Sequence, residues 1–156
     1  MPFILVSCVN PFSPKLDLES GDDGTGISDQ KTVDGVFQNF QYAYTFSDTT
    51  IYGQLLKNDY IFVYRDYERS VDVSWGRDEE MKVTHGLFKN SQRLDLVWNN
   101  IVSMTEDSSN IVRSFNLTVT FNPTDIIFVD GRVNLDLVKN ETGVWKITRW
   151  IDESNF

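Results

Sequence analysis

Between Arg113 and Phe121 the chain alternates without interruption. Arg113, Phe115, Leu117, Val119 and Phe121 fall on one side, and Ser114, Asn116, Thr118 and Thr120 on the other. That period of two describes a long strand with one face buried and one face wet. Such a strand needs partners, and its neighbours supply them. Before it, Arg93 to Thr105 sets Leu94, Leu96 and Trp98 at period two, with Glu106 to Asn110 as the connecting turn. After it, Asn122-Pro123-Thr124-Asp125 reverses the chain. Ile126 to Val129 and Val133 to Val138 follow, flanking Asp130-Gly131, which reads as a tight turn or a bulge. Asn140-Glu141-Thr142-Gly143 turns again, and Trp145, Ile147, Arg149 and Ile151 share one face of the last strand. The C-terminal half is thus a run of hairpin-linked antiparallel strands.

The half before it follows a different period. Val33, Phe37, Phe40 and Tyr44 lie at i, i+4, i+7 and i+11, one face of a helix that Ser28 or Asp29 would cap. Asp48 to Lys57 reads as a second helix with Ile51, Leu55 and Leu56 as its apolar side, ended by Asn58-Asp59. Tyr60-Ile61-Phe62-Val63-Tyr64 is β-branched and aromatic, hence a strand. A polar turn from Arg65 to Arg69 leads into the alternating Val71-Asp72-Val73-Ser74-Trp75. A third helix begins at Asp78-Glu79-Glu80, acids suited to a first turn, and ends near Asn90. Its apolar face is Met81, Thr84, Leu87 and Phe88. Helices first and strands last predict an α+β domain, with helices on one face of a curved antiparallel sheet. The 156 residues, 40% of them hydrophobic, suffice for one such domain over residues 30–156.

Charge and scarce residue types narrow the function. Fourteen Lys and Arg against 23 Asp and Glu leave a net charge of −9, which disfavours generic binding to nucleic-acid phosphate or anionic headgroups. One Cys excludes an internal disulfide framework and a Cys-based zinc site, and one His excludes a His cluster. No P-loop, dinucleotide glycine fingerprint or EF-hand loop is present, so no cofactor and no defined metal motif is expected. A metal site built from carboxylates alone stays open.

Residues 1–29 carry a separate expectation. Leu5-Val6-Ser7-Cys8 resembles a bacterial lipobox, in which the Cys is lipidated and becomes the mature first residue. Pro11, Pro14, Gly21, Gly24 and Gly26 follow, a composition that reads as a flexible tether. The expected arrangement is a domain lipid-anchored at Cys8 in a bacterial envelope. A basic n-region and a full apolar stretch are missing before the Cys, so either the translation start is misplaced, or the match is accidental and the protein cytoplasmic.

Three stretches carry a family resemblance. They are the helix Val33–Phe46 with the short helix behind it, Trp75-Gly76-Arg77-Asp78-Glu79 at the start of the third helix, and Gly143-Val144-Trp145-Lys146-Ile147-Thr148-Arg149-Trp150 in the closing strand. Their order resembles the nuclear transport factor 2-like superfamily, including SnoaL-like proteins and ketosteroid isomerase, over about residues 30–153. The resemblance implies a cone: a strongly bent sheet wrapped around helices, with a pocket at the open end and often a dimer through the sheet's outer face.

The pocket candidates follow from that implied cone. Tyr42, Tyr44, Tyr64, Trp75 and Trp98 are rings with polar tips, suited to stack on a ring-bearing ligand and donate a hydrogen bond. Arg113 and Arg149 lie on the same strand faces as Phe115 and Trp145, so if those faces line the interior one or both point inward as anion-binding groups; the alternatives are a salt bridge with Asp66, Asp72 or Asp152, or an Arg near a strand end reaching solvent. Isomerase chemistry needs a carboxylate base facing an apolar pocket. The resemblance places it on the strand after the second helix, where only Asp59 and Asp66 bracket Tyr60 to Arg65, so Asp66 is a weak candidate base. His85 is the other weak candidate, as the one side chain with an ordinary pKa near neutrality. The leading expectation is a non-catalytic domain binding a small apolar or aromatic molecule, or a protein partner. A SnoaL-like acid–base enzyme acting on a ring-bearing substrate is the alternative.

Overall fold

The computed structural model describes residues 26–153. Helix α1 spans Val33–Phe46 and is capped by Thr32, whose hydroxyl accepts the Gly35 N–H at 3.0 Å. Of the two expected caps, Ser28 instead donates its hydroxyl to the Gly35 carbonyl at 2.7 Å while its N–H donates to Asn39 Oδ1, and Asp29 accepts from the Lys31 N–H. The segment before α1 is therefore fastened to it. Gln30, 5% exposed, completes the fastening: its amide donates to the Trp145 carbonyl at 2.6 Å and accepts from Asn39.

Helix α2, Thr49–Leu55, is capped by Asp48 and ends two residues earlier than its apolar spacing suggests, because Leu56 already belongs to strand β1, Leu56–Asp66. Strand β2, Val71–Gly76, hands directly to helix α3, Arg77–Asn90. The sheet is completed by β3, Arg93–Met104; β4, Asn110–Asn122; β5, Asp125–Lys139; and β6, Trp145–Asp152. Asp130-Gly131 is neither turn nor bulge. It pairs in unbroken register with Asn116 and Phe115, and Val129, Val133, Leu135 and Leu137 stay on one buried face through it.

The six strands form one curved sheet in the order β2-β1-β6-β5-β4-β3. Neighbours are antiparallel except β1 and β6, which run parallel. All three helices precede the four-strand run that ends the chain, giving the expected α+β architecture. The core lies in the hollow of the sheet: Val36, Phe37, Phe40 and Ala43 of α1 are at most 2% exposed and pack with Leu96, Ile111, Leu135 and Ile147 from the strands.

One irregularity redirects a predicted site residue. In β6, Ile147 pairs with Leu137 but Arg149 pairs with Asp136, so Thr148 is an extra residue in the ladder. A bulge of this kind moves every later side chain to the opposite face. Ile147 and Trp150 both end up buried, and Arg149 is exposed on the outside. The alternation Trp145, Ile147, Arg149, Ile151 is therefore broken, and Arg149 is not a pocket group.

Candidate ligand-binding cavity

The hollow of the sheet is not filled by α1. Between α3 and the inner faces of β1, β4, β5 and β6 lies a cavity of about 450 Å³, within the range of small-molecule sites. Its walls are rings. Trp75 of β2 stacks on Phe62 of β1 with centroids 4.6 Å apart, and Phe62 meets Trp150 of β6 edge-on at 5.2 Å. Phe40 of α1 meets Trp98 and Trp150 edge-on and stacks on Tyr44 at 5.3 Å. Leu117, Val119 and Val133 close the sheet side. Val83 and Ile127, each roughly half exposed, stand at its rim. Offset and edge-to-face pairs of this kind hold rings in fixed orientations.

A carboxylate sits in this apolar wall. Glu80 is 4% exposed and lines the cavity with Thr84 and Leu87 from the same side of α3. Tyr52 Oη donates to Glu80 Oε1 at 2.6 Å, Trp75 Nε1 donates to Oε2 at 2.6 Å, and Thr84 Oγ1 donates to Oε1 at 3.3 Å. Every partner is a donor, so the site is shaped for an acceptor, and a buried acceptor needs such partners. Among the described residues no Lys, Arg or His pairs with it. The acid run at residues 78–80 is thus divided: all three stand in the first turn, as expected, but Asp78 and Glu79 are exposed while Glu80 turns inward.

Asp152, at the end of β6, is the second carboxylate in the lining. It lies two residues beyond Trp150, on the face that the bulge turned inward. The tyrosine hydroxyls nearby register both charges. Burial, then Glu80, then Asp152 push the Tyr44 hydroxyl far above the ordinary tyrosine range. Burial and Glu80 raise Tyr52 likewise, and Tyr60 is raised by burial first and by Glu80, Tyr44 and Asp152 after it. All three are held as neutral phenols.

The other predicted residues are dispersed. Tyr44, Tyr64, Trp75 and Trp98 line the cavity together. Tyr42 instead stacks near Phe46 on the outer side of α1, with centroids 4.6 Å apart. Trp98 also donates its indole N–H to the Phe37 carbonyl at 3.0 Å, tying β3 to α1. Arg113 is outside the cavity. Its guanidinium lies 4.7 Å over the Phe37 ring, its Nε donates to the Asn99 carbonyl, and burial lowers its pKa despite the opposing pull of Asp34. Asp66 is not in the cavity either: it accepts from the Arg69 N–H and pairs with the Arg69 guanidinium at 2.9 Å, closing the β1–β2 turn. His85 is exposed on the outer side of α3. Cys8 lies outside the described residues.

Glu80, Asp152, Trp150 and Phe62 were not expected in the cavity from the sequence, where Asp152 figured only as a possible arginine partner. For Glu80 the signal was present: positions 80, 84 and 87 share one helical side, and Thr84 and Leu87 were already assigned to the buried face. Asp152 and Trp150 depend on the bulge at Thr148, which no turn residue marks.

No family model matches the sequence, and no curated protein matches it. Solved structures do. A candidate scytalone dehydratase from Novosphingobium aromaticivorans matches with a TM-score of 0.67 at 15% identity, over 80% of this chain and 82% of its own. A candidate aromatic ring hydroxylase from the same species gives 0.64 at 15% identity, over 82% and 90%. Nuclear transport factor 2 from Cryptosporidium parvum gives 0.59 at 10% identity, over 78% and 90%. A bent sheet closed over helices with an internal cavity defines a class of α+β cones. The chain has the nuclear transport factor 2-like fold.

Proposed function

We propose that this domain binds a small, largely apolar, ring-bearing molecule in the cavity and does no chemistry on it. The observation that carries the reading is the cavity itself: about 450 Å³ walled by fixed rings, whose one deeply buried carboxylate, Glu80, is already engaged by three donors. A general base has to reach a substrate proton within about 3 Å and have capacity to take it. Glu80 is placed to hold Tyr52 and Trp75 in position, and the candidate bases Asp66 and His85 lie elsewhere. Anchoring through Cys8 belongs to the same reading. It rests on Leu5-Val6-Ser7-Cys8 and the Gly/Pro-containing tether alone, and intact mass measurement of the protein from its own cells checks it.

Titration with 1-naphthylmethanol, followed by tryptophan fluorescence, tests the cavity. Three of the four tryptophans line it, so binding is expected to quench and saturate. Leu117→Trp, which fills the sheet side, is expected to abolish the response with the fold intact by circular dichroism. An unchanged response in that variant would place the binding elsewhere.

One observation favours the enzymatic alternative, acid–base chemistry on a similar ring-bearing substrate. Asp152 shares the cavity with the Tyr44 phenol, a carboxylate and a neutral donor in one apolar space. The names carried by two fold neighbours, a dehydratase and a ring hydroxylase, belong to those proteins. If Asp152 is a base, turnover of a cyclic substrate will be lost in Asp152→Asn while binding is retained.

A further inference from the structure

A ring-walled cavity accepts a polar ligand only if its wall has hydrogen bonds to give, because a hydroxyl or carbonyl loses its water on entry. The polar tips of this wall are committed elsewhere. Trp75 Nε1 donates to Glu80 Oε2 at 2.6 Å, and Thr84 Oγ1 donates to Glu80 Oε1 at 3.3 Å. Glu80 also accepts from Tyr52 and is 4% exposed, so its oxygens face their own donors. Trp98 Nε1 donates to the Phe37 carbonyl. Asp152 is not free either. The Trp150 N–H has no hydrogen-bond partner among the described residues, yet its nitrogen is buried in the packing and does not open on the hollow.

Two phenols remain. Tyr44 is buried, and its hydroxyl feels Glu80 and Asp152, which sets it on the carboxylate side of the space. Tyr64 is half-buried and pairs with Val73 near the β1–β2 turn. Apart from Trp98, the wall contributed by β3, β4 and β5 is carbon alone, with Leu96, Phe115, Leu117, Val119 and Val129 among its members. A ligand hydroxyl set against these residues leaves water and meets no replacement partner, at the full cost of its desolvation. A methyl group in the same place gains by leaving water.

We propose that the cavity selects a hydrocarbon, a ring-bearing molecule with no hydrogen-bonding group. The inference rests on the reading of the cavity as a small-molecule site and adds the chemical class of what fills it.

The test sets 1-ethylnaphthalene against 1-naphthylmethanol. The two share ring and shape and differ by a methyl group in place of a hydroxyl. Each is titrated into the full chain and followed by tryptophan fluorescence. The hydrocarbon is expected to bind about a hundredfold more tightly, the combined effect of a methyl group leaving water and a hydroxyl left unbonded. In Tyr44→Phe and Tyr64→Phe, their folds checked by circular dichroism, the two affinities are expected to move together and keep their ratio within about threefold of the wild type. A wild-type ratio below about tenfold overturns the inference, because the wall then bonds the hydroxyl. That result leaves the small-molecule reading standing, since both probes bind. A ratio that widens in either phenylalanine variant also overturns it, by revealing a phenol that serves the ligand's hydroxyl. If neither probe binds, the small-molecule reading fails and takes the inference with it.

Discussion

Helix α3 separates two concavities that solve the problem of buried polarity in opposite ways. On one side, Glu80, Thr84 and Leu87 face the ring-walled cavity. On the other, Arg77 and Met81 face a polar groove shared with Gln54, Lys57, Lys139 and Lys146. In the cavity a carboxylate is held by neutral donors, and none of its partners carries charge. In the groove two of the cations are spent on backbone, while Lys57 pairs with Asp59 and Lys139 lies over the Trp145 ring. Arg77 Nη2 donates to the Gly53 carbonyl at 2.9 Å, and Lys146 Nζ donates to the Gln54 carbonyl. Those are the closing carbonyls of α2, a helix too short to carry a strong terminus unaided, and cations there satisfy orphan acceptors and oppose the dipole. Burial and the nearby Arg77 lower the Lys146 pKa. The lesson is that a charged lining does not by itself indicate a ligand. The groove is lined by cations that cap a helix, whereas the cavity keeps ring faces and open volume together.

The largest effect that would sharpen this contrast is alkaline unfolding. Tyr44, Tyr52 and Tyr60 are raised well above the ordinary value of about 10. The unfolded chain releases these protons near pH 10 while the folded chain keeps them, so the native state binds more protons and stability falls as pH rises above 10. Below pH 10 the contribution is fully present. The 295 nm phenolate absorbance of these three tyrosines is therefore expected to appear only together with loss of the fold. A gradual rise in a still-folded protein would mean that water reaches the hydroxyls and that the cavity's polar side is wet.

Next in size is Glu80→Ala. It leaves the Tyr52 hydroxyl and the Trp75 N–H without their acceptor, each a loss of about 1–3 kcal/mol for a buried group. The expected destabilisation is about 3 kcal/mol, a large share of the stability of a domain this size, read as a shift of the urea midpoint at constant slope. A change under about 1 kcal/mol would show that Glu80 is not the anchor of the donor network.

How these features were visible in the sequence differs between them. The periods of 3.6 and 2 located the three helices and the sheet, with β5 read as two strands, because α1 and β4 each bury one face and expose the other, and burial dictates pattern. The third helix's inward side was readable from Thr84 and Leu87, and Glu80 follows it by spacing, yet an acid in a helix's first turn has an equally good solvated explanation. The misplacement of Arg149 has another cause. One extra residue at Thr148 inverts the strand's faces, and a bulge formed by threonine leaves no glycine or proline to announce it. Asp130-Gly131 erred in the opposite direction: a turn-like pair runs straight because β4 pairs with it residue by residue. Of the five rings singled out in the sequence, Tyr44, Tyr64, Trp75 and Trp98 converge on the cavity and Tyr42 does not. The carboxylates of its wall depend on tertiary packing and were not expected there.

The smallest expected effect bears on the groove and decides whether the contrast with the cavity holds. Arg77→Met keeps the apolar stem and removes the guanidinium bond to Gly53. A part-buried bond from a charged donor contributes about 1–2 kcal/mol, so the midpoint of thermal unfolding is expected to fall by a few degrees. Phosphate separates capping from ligand binding. An anion held by Arg77 and Lys146 would stabilise the wild type by mass action beyond sodium chloride of equal ionic strength, and the variant would lose that increment. If the guanidinium is a cap, phosphate and chloride raise or lower both proteins alike, because the cations already face carbonyl oxygens. A phosphate-specific gain in the wild type would make the groove a second binding site, and the contrast across α3 would fall.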